Sequence, residues 1–233
     1  MAKAPIVLAV DTSDIEIASQ WVKATDGVIS VVKLGLEFFL TFGAEGVRRI
    51  SGESSSEIFL DLKLHDIPHT VSGAAKAVAN LRPRFLTVHA SGGAHMVKAA
   101  VEAMPETHIT GVTILTSLSD SNLVDLGFAA NALESAVRLA EQAVSGGARA
   151  IVCSPLEIAA VRKAVGSAIE IITPGVRPLD STANDDQQRT MTPADAISHG
   201  ANFVVIGRPI TSFFQQGAGA MRERAIEISE QIL

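Results

Sequence analysis

One strand–helix junction organises the chain, and it reads Ile58-Phe59-Leu60-Asp61-Leu62-Lys63-Leu64-His65-Asp66-Ile67-Pro68-His69-Thr70. It begins as an apolar strand, and Pro68 suits the first turn of a helix. Asp61 and Lys63 are two residues apart, so their side chains share one face of a regular strand. A simple ion pair would account for these two charges. Adding Asp66 gives Asp-x-Lys-x-x-Asp in an apolar segment, and because buried charges are costly this pattern indicates a functional site.

Length and composition set broad limits. The 233 residues, 47% of them hydrophobic, supply a large core and argue against disorder. A net charge of −6 argues against a general nucleic-acid binder but permits a small anionic ligand. The single cysteine, Cys153, excludes an internal disulfide framework. The apolar run before Asp11 is too short for a signal peptide or a membrane span. We therefore expect a soluble cytoplasmic protein.

Apolar strands alternate with helices along the whole chain. This alternation predicts a parallel sheet, and eight strand–helix units predict a (β/α)8 barrel. A doubly wound open sheet is the main alternative, but no Gly-x-Gly-x-x-Gly follows the first strand. No linker marks a boundary, so residues 1–233 are expected to form a single domain. The predicted strands are 6–11, 28–36, 58–64, 85–90, 109–115, 150–153, 169–176 and 203–207, and a final helix is predicted over 211–232.

Polar residues recur where these strands end. In a (β/α)8 barrel the active site lies at the carboxyl ends of the strands, so these side chains should form one ring at one rim. The ring comprises Asp11, Lys33, Asp61, Lys63, Asp66, His89, Thr116, Ser117, Arg177, Gly207 and Arg208.

The last two strands carry features of a phosphate site. Gly207 allows backbone N–H groups to approach a phosphate, and Arg208 can add a charge-assisted hydrogen bond. The polar loop over residues 177–191 is long and could fold over the ligand, with Arg177 and Gln187 as candidate contacts. Thr192 and the proline after it then restart a helix.

The residues alone permit more than one chemistry. Lys33, Asp61, Lys63 and Asp66 would alternate in charge, which favours protonated lysines. A protonated lysine can deliver a proton to a carbanion, but a lysine can also form a Schiff base for aldol cleavage. No histidine pair has metal-binding spacing, and we expect hydrogen-bonded structural roles for His65 and His89.

The chain resembles the orotidine 5'-monophosphate decarboxylase family over almost its full length. The resemblance is carried, in the family's order, by Leu8-Ala9-Val10-Asp11, Val32-Lys33-Leu34-Gly35, the run from Asp61 to Thr70, Thr173-Pro174-Gly175-Val176-Arg177-Pro178 and Val205-Ile206-Gly207-Arg208-Pro209-Ile210. One departure is His69, where the family usually has asparagine.

The resemblance implies decarboxylation of orotidine 5'-monophosphate to uridine 5'-monophosphate, in pyrimidine synthesis, without a metal or other cofactor. It implies that Lys63 protonates C6 of the pyrimidine, that Asp61 lies near the departing carboxylate, and that Lys33 bridges the charged cluster and the ribose. Asp66 and Thr70 would serve the neighbouring subunit's site in a homodimer.

The resemblance also implies the remaining substrate contacts. Asp11 would bind a ribose hydroxyl, and Thr116 and Ser117 would lie at the pyrimidine. The phosphate would be held by Arg177, Gln187, Gly207 and Arg208.

Two other functions are weighed against this one. Metal-dependent sugar-phosphate enzymes of the hexulose-phosphate synthase and keto-gulonate-phosphate decarboxylase kind share Asp-x-Lys-x-x-Asp, but they carry an acidic metal ligand where this chain has Lys33. A non-catalytic sensor of nucleotide phosphates would have no reason to keep two lysines and two aspartates together.

Overall fold

Eight short apolar segments form a closed barrel of parallel strands in the computed structural model, which describes residues 3–178 and 191–232. Each strand pairs with the next, and the eighth pairs with the first. The predicted (β/α)8 barrel is confirmed. The strands are β1 (Ala4–Ala9), β2 (Ile29–Gly35), β3 (Glu57–Leu64), β4 (Phe85–His89), β5 (His108–Val112), β6 (Ala150–Val152), β7 (Glu170–Thr173) and β8 (Phe203–Ile206).

Helices connect the strands around the outside of the barrel. Their starts follow local capping chemistry: Asp14 caps the first helix, and Thr192 caps the helix that precedes β8, as predicted. The α-helices are α1 (Ile15–Thr25), α2 (Leu36–Ser51), α3 (Pro68–Val78), α4 (Gly93–Ala103), α5 (Asp120–Asp125), α6 (Ala132–Ser145), α7 (Ile158–Val165), α8 (Pro193–Ser198), α9 (Arg208–Thr211) and α10 (Ala218–Glu230).

Several segments differ from the predicted elements, and β5, like β7, ends three residues earlier than predicted. The polar loop after β5 contains the short helix α5, begun by a Ser119 capping box. β7 ends at Thr173, three residues earlier than predicted, and Val176 instead forms an isolated bridge with Met191. The final helix is broken, because Gly217 has a φ of +109° that stops the helical path before α10 begins.

Two layers of buried apolar residues stabilise the barrel. The larger one lies between strands and helices, and it accounts for the apolar runs of strands that are buried on both faces. The smaller layer fills the barrel interior, where the rings of Phe59 and Phe203 pack on either side of Phe85. The interior is therefore a packed core that closes the barrel below the rim.

A charged network seals the amino end of the barrel. Arg84 pairs with Glu57 and, at 2.7 Å, with Glu170. Glu170 also lies 2.6 Å from Nδ1 of His108, and the Arg84 guanidinium stacks over the Phe85 ring. These groups stabilise the end opposite the predicted polar ring. Within residues 3–178 and 191–232, no helix combines the length and apolar character that crossing a bilayer requires.

Candidate active site

A cavity of about 300 Å³ opens at the carboxyl ends of the strands. Its size is at the lower end of the usual range for small-molecule sites, and it combines an apolar floor with convergent charged groups. Its lining comprises Ala9, Asp11, Lys33, Phe59, Asp61, Lys63, Val112, Ile114, Leu115, Thr116, Val152, Cys153, Pro174, Gly175, Arg177, Val205, Gly207 and Arg208. The structure thus brings together eight of the side chains and backbone positions that the sequence predicted for the site.

The charged groups form a chain of alternating sign along one wall. Nζ of Lys33 lies 3.4 Å from Oδ1 of Asp11 and 3.5 Å from Oδ2 of Asp61. Nζ of Lys63 lies 2.8 Å from Oδ1 of Asp61. The side chains of Lys33 and Asp61 are only 12% and 13% exposed, whereas Asp11 is 62% exposed. Asp61 is therefore the buried anion at the centre of the cluster.

Asp61 is held in its ionised form. Burial opposes ionisation and is the largest single effect, but the charges of Lys33 and Lys63 and hydrogen bonds from Lys63 and Thr87 together outweigh it. The pKa of the Asp61 carboxyl is consequently lowered from its ordinary value. A fixed negative charge is thus present at the wall of the cavity at neutral pH.

The backbone between these charges is not a regular strand. Leu60 pairs with Leu86 and Leu64 pairs with Val88, so β3 carries two more residues than β4 over this interval. Lys63 lies in this bulge with a φ of +47°. Asp61 and Lys63 meet as predicted, but the contact depends on the bulge and not on the same-face rule of a regular strand.

Asp66 does not join the charged cluster of its own chain. β3 ends at Leu64, and in the exposed turn that follows, Oδ1 of Asp66 accepts the backbone N–H of Ile67 at 2.6 Å. The second carboxylate of the alternating charges is therefore Asp11 and not Asp66, which the sequence had predicted. Thr70 is likewise exposed, on the first turn of α3, and neither residue lines the cavity.

The opposite wall carries the predicted phosphate contacts. Arg177, Gly207 and Arg208 all line the cavity, and burial lowers the pKa of the Arg177 guanidinium. A side chain at position 207 would lie 3.3 Å from Cβ of Ala9, so glycine keeps β8 close to β1 at the rim. Gln187 and most of the 177–191 loop lie outside the described residues.

The remaining predicted contacts divide between the cavity and the surface. Thr116 lines the cavity, whereas Ser117 is exposed beside it. His65 and His89 pack with ring centroids 5.3 Å apart, and within residues 3–178 and 191–232 no hydrogen bond to either ring is found, contrary to the prediction. Burial, together with the nearby charges of His65 and Lys63, lowers the pKa of His89.

The charged cluster does not have the composition of a metal site. Among the described residues, no group of three or more histidine, cysteine, aspartate or glutamate side chains is arranged to hold a metal ion. Lys33 contributes an ammonium group between the carboxylates of Asp11 and Asp61.

Comparison with known proteins agrees with this geometry. Residues 4–215 match the profile of the Orotidine 5'-phosphate decarboxylase / HUMPS family. The chain belongs to this family.

Relatives in the orotidine 5'-phosphate decarboxylase / HUMPS family cover nearly the whole chain. The orotidine 5'-phosphate decarboxylase of Thermobifida fusca (strain YX) is 52% identical over 217 residues, 93% of each chain. That of Gluconobacter oxydans (strain 621H) is 42% identical over 214 residues, 88% of this chain and 89% of the relative. The crystal structure of the orotidine 5'-phosphate decarboxylase from Lactobacillus acidophilus has a TM-score of 0.81 and 32% identity, covering 97% of this chain and 99% of that one.

One residue of this family member was missed in the sequence. Thr87 lies in the middle of β4, is fully buried, and contacts both Asp61 and Lys63. The sequence did contain a signal for Thr87: it is the one hydroxyl residue in the run Phe85–His89, on the strand that follows β3. Cys153 is buried, and it also lines the cavity.

Proposed function

We propose that the protein decarboxylates orotidine 5'-monophosphate to uridine 5'-monophosphate, in pyrimidine synthesis. The observation that carries this proposal is the buried Lys33–Asp61–Lys63 cluster, which shares one cavity with Arg177 and Arg208 in a chain of this family. A nucleotide monophosphate needs a cationic wall for its phosphate and a second polar region for its base, and the cavity offers both.

Lys63 is the proposed proton donor. The bond between C6 and the carboxylate carbon breaks, its electron pair remains on C6, and carbon dioxide leaves. The Lys63 ammonium then transfers a proton to C6 and is reprotonated from solvent. Its contact with Asp61 at 2.8 Å fixes the position of the ammonium group, so the donor needs little reorganisation as charge develops.

Asp61 is proposed to lie beside the substrate carboxylate. Its carboxyl is ionised and mostly buried, so a second carboxylate brought next to it would be repelled, and departure as neutral carbon dioxide relieves that repulsion. Lys33 bridges Asp61 and Asp11, which suits a role in linking the reacting end to the ribose.

The phosphate is assigned to Arg177, Gly207 and Arg208, with Gln187 as a further proposed contact. Asp11 is assigned to a ribose hydroxyl, and Thr116 and Ser117 to the pyrimidine. The exposure of Asp11 and the position of Thr116 in the lining support these assignments.

Asp66 and Thr70 are proposed to complete the site of a neighbouring subunit in a homodimer. Both side chains are exposed at the end of the barrel that carries the cavity, and Ile67 between them is 65% exposed. These exposed side chains are therefore accessible to a second chain.

A metal-dependent sugar-phosphate reaction is the alternative that the family name leaves open. Such enzymes carry an acidic metal ligand at the position of Lys33. In this chain the Lys33 ammonium lies 3.5 Å from Asp61 and would repel Mg²⁺ from that carboxylate.

Purified protein tests the proposal directly. In the presence of EDTA, we expect orotidine 5'-monophosphate to be converted to uridine 5'-monophosphate, measured as loss of substrate absorbance and confirmed by chromatography of the product. Turnover that appears only after Mg²⁺ is added, or no turnover at all, would overturn the decarboxylase proposal.

A further inference from the structure

The bulge in β3 places the backbone of Lys63 in a strained conformation. Its φ of +47° belongs to the left-handed region, which is unfavourable for a residue with a side chain. The two additional residues of β3 also interrupt the regular hydrogen bonding to β4 between Leu60 and Leu64. The backbone N–H of Lys63 therefore needs a partner other than a strand carbonyl.

The Thr87 hydroxyl is that partner. Its Oγ1 accepts the backbone N–H of Lys63 at 2.8 Å and lies 3.0 Å from Oδ1 of Asp61. A backbone N–H can only donate, so the hydroxyl accepts from Lys63. The hydroxyl then donates its own proton to Asp61, because an ionised carboxylate can only accept. The direction of both hydrogen bonds is thus determined, and it favours the charged form of Asp61.

These contacts close a ring. Oδ1 of Asp61 accepts hydrogen bonds from the Thr87 hydroxyl and from Nζ of Lys63, while the same hydroxyl accepts from the Lys63 backbone. One side-chain oxygen therefore positions the carboxylate and the backbone from which the ammonium extends. Thr87 is fully buried, so water does not provide an equivalent bond.

We propose that Thr87 is a positioning residue for the reaction: its hydroxyl holds the Lys63 bulge and the Asp61 carboxylate in the geometry that proton transfer to the substrate requires. The role of the two charged groups rests on the function proposed above, whereas the effect of Thr87 on Asp61 does not. Thr87 lines no part of the cavity, so it acts through the other two residues.

The protonation of Asp61 depends on several groups besides Thr87. Lys33 on β2 and Lys63 on β3 lower its pKa, and His89 on β4 lies close enough to interact with both Asp61 and Lys63. Asp11, after β1, faces the same Lys33 ammonium. These groups are unchanged in the variants below, so a shift in the pKa of Asp61 reports the missing hydroxyl.

The test compares Thr87→Val with Thr87→Ser and Thr110→Val. Valine keeps the shape of threonine and removes the hydroxyl, whereas serine keeps the hydroxyl. Thr110 is a matched control: it pairs with Thr87 across β4 and β5, is equally buried, and donates to the His108 carbonyl away from the cavity.

We expect kcat of Thr87→Val to fall about 10- to 100-fold, because a misplaced catalytic group costs rates of this size. The acid limb of its pH–rate profile should move to higher pH, because losing a hydrogen bond to the charged form raises the pKa of Asp61. Thr87→Ser should restore both values to within a few-fold of the wild type. Thr110→Val should retain kcat and the acid limb, whatever its melting temperature.

A purely structural role predicts a different result. If Thr87→Val and Thr110→Val lose stability alike while the folded Thr87→Val enzyme keeps kcat and its acid limb, the positioning role is overturned. A decrease that serine does not restore would also count against the hydroxyl.

A second measurement separates this inference from the proposed function. ¹³C NMR of the Asp61 carboxyl, assigned with Asp61→Asn, follows its titration in the free protein. Asp61 of the wild type and of Thr87→Ser should stay ionised to lower pH than Asp61 of Thr87→Val. This difference in titration is expected even if the protein does not turn over orotidine 5'-monophosphate. Absence of turnover would contradict the proposed decarboxylase function but not the role of Thr87. Equal titration in all three proteins would overturn the inference.

Discussion

At the scale of single residues, Asp61 determines the properties of the site. It is an anion that burial disfavours, kept ionised by two ammonium groups and a hydroxyl. Because each lysine has a carboxylate as its neighbour, positive charge is placed on both sides of Asp61 without two cations being forced together. Removing any member would leave another charge inadequately paired, which is costly in a partly buried position.

Lys63→Ala tests the proton donor. We expect turnover to fall by at least about 100-fold, because a positioned acid contributes this much or more to a rate. Binding of uridine 5'-monophosphate, measured by calorimetry, should change only a few-fold, because the product needs no proton from Lys63.

Lys76→Ala is the control for Lys63→Ala, since Lys76 is an exposed lysine on α3. It should leave both turnover and product binding unchanged. Parallel losses of turnover and binding in Lys63→Ala would instead indicate that Lys63 is structural.

At the scale of elements, the two ends of the barrel have separate tasks. The carboxyl ends of the strands carry the strained bulge and the charged cavity, and both belong to the candidate active site. The amino ends carry the network of Arg84, Glu57, Glu170 and His108, where the charges are paired with one another. Changes at the amino end should therefore alter stability and leave chemistry intact.

Glu170→Gln tests this division. Glu170 accepts from Arg84 at 2.7 Å and contacts His108 at 2.6 Å, and its side chain is 20% exposed. Loss of these charged hydrogen bonds should lower the free energy of unfolding by about 2 kcal/mol. Urea denaturation with an unchanged slope measures this value, and kcat of the folded enzyme should match the wild type.

Glu102→Gln is the control for Glu170→Gln. Glu102 forms an exposed pair with Lys98 at 3.8 Å on α4, and such pairs contribute about 0.5 kcal/mol or less. Equal effects of the two substitutions would show that the network at the amino end adds nothing beyond a surface ion pair.

At the scale of the whole molecule, we propose that the site is shared between two chains. If Asp66 and Thr70 of one chain lie against the cavity of the other, a two-fold dimer repeats this contact at the second cavity. The position of Asp66 outside its own chain's cluster is consistent with this arrangement.

Mixing Lys63→Ala with Asp66→Ala subunits tests the shared site. Each homodimer should be nearly inactive, but each mixed dimer would contain one site with both residues intact. Random exchange would then restore about a quarter of all sites. Activity should rise accordingly after mixing, measured once exchange has been verified by native mass spectrometry. No recovery in exchanged dimers would contradict the assignment of Asp66 to the neighbouring site.

Much of this architecture could be predicted from the order of residues. Apolar runs such as those of β1 and β8 recur between helices, and that alternation is a local property which the barrel preserves. Polar residues at the strand ends were therefore expected to meet at one rim. Asp11, Lys33, Arg177 and Arg208 do so.

Contacts between strands were harder to predict, because they depend on register. The bulge in β3 shifts the register against β4, and it brings Thr87 to the Lys63 backbone and the Asp61 carboxylate. Spacing within one strand contains no information about this partner. The turn after Leu64 likewise directs Asp66 to the surface, although the spacing placed it with the other charges.

Local periodicity and residue identity were enough to predict the barrel, the end at which the polar residues gather, and the family resemblance. The groups that surround Asp61, in contrast, are defined by the packing of separate strands. That environment is assembled from β2, β3 and β4 and from the residues after β1, with a left-handed Lys63 held by a hydroxyl one strand away. Hydrogen bonds and burial act through space, so the charge state of a buried carboxylate follows from the packed strands and not from its neighbours in the chain.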